Sequence, residues 1–356
     1  MILKNEALVN IPIAKKIEKK LECHNDVRID NYFWMNDREN QEVIDHLNTE
    51  NNYTKSILKH TEAFQKELFE EMKGRIKEDD TSVPYKLNGY WYITKYEKGK
   101  DYPIYTRKKE SLESEEEIIF DCNEMAKGHA YFKLGGISIS PDNTMASFSI
   151  DTVSRRQYTL QVKNLVTGEI FSDKIENTTG SSTWANDNKT LFYTKKDAVT
   201  LRSNKIYKHK LYTKEEDDIL VFHEEDETFN AFVYKTKSKK YIVIGCSSTL
   251  TSEYRFLDAN TPDAEFKIFQ ERERKLEYSI AHYEDSFYII TNNNEATNFK
   301  LQKTSIHATE KSNWVDVLPH REEVLLEDIE IFKNYLVSLK SKNYLWILKV
   351  LLTKLI

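Results

Sequence analysis

The 356-residue chain carries a net charge of −6, with 31% charged and 39% hydrophobic residues and an aromatic set led by 21 Tyr and 17 Phe. That balance disfavours a non-specific nucleic-acid binder, since neutralising phosphates needs an excess of Lys and Arg, and no run of about 18 apolar residues offers a membrane span. Cys23, Cys122 and Cys246 are odd in number and far apart, so reduced thiols and a cytoplasmic location are expected rather than a disulfide framework.

Residues 1 to about 36 carry little periodicity. Met1–Val9 is too short and too interrupted by Lys4 and Glu6 to be a signal core. Asp30–Asn31–Tyr32–Phe33–Trp34–Met35 gathers three aromatics and reads as an extended arm docking on an apolar surface. From Glu39, Val43, Leu47, Ile57, Leu58, Phe64, Leu68 and Met72 fall near helical spacing among Glu and Lys. Asn36 with Glu39 resembles a capping box, Asn51–Asn52 is a possible break, and Gly74 is a candidate stop.

After Asp80 the pattern becomes one of strand pairs with apolar residues at alternate positions. The pairs are 90–94 with 102–106, 145–150 with 158–162, 191–194 with 205–208, 241–244 with 254–257, 287–290 with 299–301, and 335–339 with 345–347. Turn residues before each first strand (Gly89, Asp142, Asp187, Lys239, Asp285 and Lys333) recur at intervals of 53, 45, 52, 46 and 48. A period of roughly 50 residues, with room for an inner and an outer strand around each hairpin, predicts a mainly β fold of four-stranded propeller blades. The expected organisation is an arm with amphipathic helices over 1–76 and an incomplete propeller of about six blade repeats over 77–356. The last residues, Ile347–Ile356, lose alternation and lack a turn signal, as an arbitrary terminus left by frameshift or truncation would.

Several chemistries fail on glycine spacing. Among the nine glycines no two lie four, two or five positions apart, which removes the nucleophile elbow G-x-S-x-G, the dinucleotide fingerprint and the P-loop. There is no C-x-x-C or H-E-x-x-H. His129 reads as a structural histidine rather than a base. Arg155–Arg156 beside Asp151 reads as a solvated hairpin turn with an internal ion pair, although such a pair of guanidinium groups can grip a carboxylate. The acidic runs Glu113–Glu117 and Glu215–Asp218 read as exposed loops, and Trp91 and Trp184 as core. No catalytic, cofactor-binding or metal-binding residue is assigned.

The stretches Arg28–Met35, Asp37–Asn40 and Glu50–Asn51 resemble the N-terminal signature of prolyl oligopeptidase-type serine peptidases. Leu134–Gly136, Ser140–Asn143, Ser154–Tyr158, Trp184–Asp187, Thr236–Tyr241, Thr251–Glu253, Leu257–Ala259 and Asn298–Phe299 are similar to the oligopeptidase B (protease II) branch. The likeness runs in one register from about Pro12 to about Leu339. It implies a seven-bladed propeller that filters substrates by size, an N-terminal segment that clasps a C-terminal α/β-hydrolase domain, and cleavage of short peptides after Lys or Arg by a Ser-Asp-His triad. The hydrolase domain and its triad have no counterpart in this chain, so none of the family's catalytic residues transfers. The expected partners are oligopeptide substrates of the intact enzyme and the absent hydrolase domain, in cis or as a separate chain. The other class considered is a free-standing propeller used as a protein-interaction scaffold.

Overall fold

The computed structural model describes residues 10–343 and 345–352. Two compact units divide the chain, Met1–Asp80 and Thr81–Ile356.

In the first unit, Lys19–Cys23 pairs antiparallel with Asp26–Asp30. His24 and Asn25 turn the hairpin at φ 51° and 62°, the left-handed pair that a two-residue hairpin loop needs. Both strands are almost wholly exposed, so no hydrophobic alternation betrays them in the sequence. A 3-10 turn at Phe33–Asn36 leads to helix α1, Gln41–Leu58. Its N-cap is Asn40, whose side-chain oxygen accepts from the Glu42 N–H at 2.9 Å, and not Asn36. Asn51 and Asn52 lie inside α1, because the modest helix penalty of Asn, under about 1 kcal/mol, does not interrupt an 18-residue helix. The break comes at the 3-10 turn Lys59–Thr61, followed by α2, Glu62–Gly74. Gly74 is the last residue of α2 and has no positive φ.

The second unit is a propeller-type array of six blades. Blade one comprises Tyr85–Leu87, Tyr90–Tyr96, Ile104–Lys109 and Glu116–Asp121. Blade two is built on Lys133–Ile139, Met145–Asp151 and Tyr158–Asn164. The long strand Ile175–Trp184 carries the chain from its outer edge to the start of blade three, which continues with Thr190–Lys196, Ser203–Lys210 and Ile219–His223. Blades four and five have the strand orders Asn230–Lys235, Tyr241–Ser247, Ser252–Asp258, Lys267–Ile268 and Tyr278–Tyr283, Ser286–Thr291, Lys300–Ser305, Val315–Leu318. Blade six has three described strands, Leu325–Ile331, Tyr335–Lys342 and Leu345–Leu352. All six hairpins expected from alternation are the second and third strands of their blades. The recurring turn residues sit between first and second strands, where Asn88, Asn143, Asn188, Lys239 and Glu284 take positive φ.

Packing explains why the central strands are buried on both faces. In Tyr241–Ser247, Ile242, Ile244 and Cys246 pack with Phe192 and Ile206 of blade three, while Tyr241 and Val243 pack with Phe287 and Ile289 of blade five. The opposite parity of the blade-five strand, Tyr288 and Ile290, packs with Leu326, Ile331 and Leu336 of blade six. Blades one and two share Tyr92, Phe120, Ala146 and Phe148, and blades two and three share Val162, Trp184 and Leu191. Period-two alternation thus sends successive side chains into successive inter-blade cores. First strands also approach closely: a Cβ on Gly136 would lie 2.8 Å from the Gly180 carbonyl oxygen.

Three expectations are corrected here. Trp184 is core, but Trp91 is only half-buried, its indole N–H donating to Glu110 O at 3.0 Å; the neighbouring Tyr92 takes the core-facing parity. Glu116 and Glu117 belong to the outer strand of blade one, where Lys95 and Arg107 pair with them at 2.6 and 2.7 Å. Asp218 closes the second acidic run but is buried against His209.

Candidate functional site

Hairpins joining second to third strands, and links from each blade to the next first strand, lie at the end of the array opposite the recurring turns. At this end a cavity of about 600 Å³ is lined by Asp226, Thr228 and Phe229, the hairpin tip Ser248–Thr251, and Arg272, Arg274 and Lys275. Two arginines fix its wall. Arg202 donates to the carbonyls of Glu224, Asp226 and Phe229 at 3.1, 3.0 and 2.8 Å. Arg272 sits 3.7 Å from the centre of the Phe229 ring and binds Glu224 at 2.5 Å and Glu253 at 3.4 Å.

Glu224 and Glu253 are nearly fully buried, their side chains 5% and 6% exposed. Burial opposes the charge of Arg272, but the hydrogen bond to Glu224 and the Glu253 charge outweigh it and hold the guanidinium protonated. A second arginine, Arg255, donates to Glu253 at 2.9 Å, so each buried carboxylate is neutralised in place. On the opposite wall the Lys275 N–H donates to Thr251 Oγ1 at 3.0 Å. Leu250, half exposed, and the cations Arg274 and Lys275 form the rim. The Phe229 ring and the cations Arg274 and Lys275 offer apolar contact and partners for carbonyl or carboxylate oxygens, with the Asp226 carboxylate also at the wall. The cavity offers no acyl-transfer chemistry: among the described residues no histidine or cysteine lines it, and Ser248 Oγ is directed at the Thr251 carbonyl.

The sequence-flagged residues do not converge on this cavity. His129 is exposed in the loop after Cys122–Met125, not the buried structural histidine expected. Asp151 is buried, but accepts from the backbone N–H groups of Val153 and Arg156 at 2.9 and 2.7 Å. Among the described residues neither Arg155 nor Arg156 forms an ion pair, so the expected intra-loop pair is replaced by a backbone-capped turn. Sequence reasoning missed Arg202, Glu224, Glu253 and Arg272, which are scattered charges until the blades assemble. The signal available was Glu253 alternating with Tyr254 and Phe256 in a strand too apolar to leave it unpaired.

The family model described as prolyl oligopeptidase, N-terminal beta-propeller domain, matches residues 12–354. This chain belongs to that family. It is 35% identical to a dipeptidyl aminopeptidase BI of Pseudoxanthomonas mexicana, with 95% of this chain and 49% of the relative covered. With a protease 2 of Moraxella lacunata it shares 32% identity over 94% of this chain and 49% of the relative. Among solved structures, oligopeptidase B from Leishmania major superposes with a TM-score of 0.89 at 29% identity, over 97% of this chain and 51% of that one. The chain spans about half the length of the curated relatives it matches. The family propeller accounts for the six-blade array.

Proposed function

We propose that this chain is the arm, helices (residues 1–76) and incomplete propeller (77–356) of an oligopeptidase B-like serine endopeptidase that hydrolyses short peptides after Lys or Arg. The propeller limits substrate size. Acyl transfer through a serine ester, stabilised by an oxyanion hole, belongs to an α/β-hydrolase domain outside residues 1–356. Alone, the chain is inactive. The observation that carries this reading is a family match along nearly the whole chain that reaches only half of its peptidase relatives, in a sequence without a nucleophile elbow. Complementation tests it: the chain is mixed with the separately expressed hydrolase half of an oligopeptidase B. Restored cleavage of an arginyl amide supports the reading. If the hydrolase half neither binds nor gains activity, a free-standing interaction propeller is favoured.

A further inference from the structure

The turn between the first two strands of blade four, Thr236–Lys240, touches four other blades. Contacts with neighbours are ordinary: Asn186 of blade three donates to the Lys239 carbonyl at 3.2 Å, and His282 Nδ1 of blade five lies 2.8 Å from Ser238 Oγ. The other two skip blades. Lys239 Nζ donates to the Asn88 side chain in the corresponding turn of blade one. Lys237 Nζ pairs with Glu330 on the first strand of blade six and lies 3.8 Å from the centre of the Phe332 ring.

A turn that confined itself to the rim of its own blade would meet only blades three and five, so these reaches place it at the hub where the first strands converge. Blades one and six are the first and last described blades, and among the described residues no strand of one pairs with the other. Both blades are therefore anchored to the same five residues. We infer that Thr236–Lys240 is an axial keystone, which holds blades one and six in position through Lys239 and Lys237 and so sets the spacing between them. This inference rests on the fold and is independent of the proposed peptidase role. The chemistry suits the task. Asn88 presents a carbonyl oxygen, and Glu330 with the Phe332 face presents negative charge and π density, all complementary to ammonium groups on long flexible stems. Surface contacts of this kind are individually weak, so the device tethers blades one and six without locking them.

The test uses the full chain and a reagent that couples to lysine amines and carries a photoreactive arm. Peptides linking Lys239 to the Asn88 turn and Lys237 to 330–332 are expected; links confined to blades three and five overturn the inference. Amide hydrogen exchange on the K237A/K239A double variant is the second readout. Exchange in the hairpins 85–96 and 325–342 should rise about fivefold, with the blade-four hairpin 241–258 unchanged and K237R/K239R close to wild type. No rise in blades one and six, or the same rise in every blade, contradicts the keystone.

Discussion

His209 Nδ1 lies 2.6 Å from Asp218 Oδ1 with both side chains at most 2% exposed. Tyr193 donates to the other Asp218 oxygen at 2.8 Å, and Asp173, from the outer edge of blade two, is 3.4 Å from His209 Nε2 while accepting from the Tyr212 N–H at 2.9 Å. Burial by itself would depress the imidazole pKa, but hydrogen bonds and charge from Asp218 and then Asp173 prevail and raise it above 6.5. A raised folded-state value means that the stabilisation is complete below the unfolded value and is lost as pH climbs through the folded one. The melting temperature should therefore fall as pH rises above about 6.5, and this slope should disappear in H209Q. D218N, which strips the histidine of its buried counter-charge, should cost about 3–5 kcal/mol in urea denaturation at neutral pH. A flat profile in the wild type would refute this assignment.

Two glycines should respond to alanine with opposite signs. A Cβ at Gly136 meets backbone, the Gly180 oxygen at 2.8 Å and Ser181 Cα at 3.2 Å, so the first strands of blades two and three must separate. G136A should cost about 1–3 kcal/mol. At Gly74 nothing lies within 4 Å and the residue is helical, so G74A should stabilise α2 by about 0.4–1 kcal/mol. Urea denaturation reads the first and hydrogen exchange in α2 the second.

These cases mark what was legible in the sequence. The six hairpins were, because their strands carry apolar side chains at alternate positions and turn residues recur ahead of them, with Asn at positive φ in three blades. The Lys19–Asp30 hairpin was not, since its strands bury almost nothing. Nor were the charge networks. Asp218 ends a run of four acidic residues that looks solvated, and only its proximity to a histidine nine positions earlier, across a strand pair, explains its burial. Arg272 and Glu224 are 48 positions apart, and their pairing depends on how one blade follows another. Local patterns encode a blade, whereas blade-to-blade chemistry emerges only on assembly.

The third strand of blade six presents apolar side chains on both parities: Leu345 and Trp346 are 70% and 66% exposed, Leu348 and Val350 70% and 60%. An exposed apolar strand at a sheet edge is a template for association. Light scattering on a sizing column should show concentration-dependent oligomers, reduced in W346K/L348K. A monomer at every concentration would contradict this.

The most direct test of the central claim is hydrolysis of a chromogenic arginyl amide by the purified chain alone. No turnover above buffer is expected, because residues 1–356 contain no G-x-S-x-G elbow and, among the described residues, no histidine or cysteine lines the hairpin-end cavity. Turnover that a serine-directed inhibitor abolishes would show that this chain carries a catalytic serine after all, and would overturn the account.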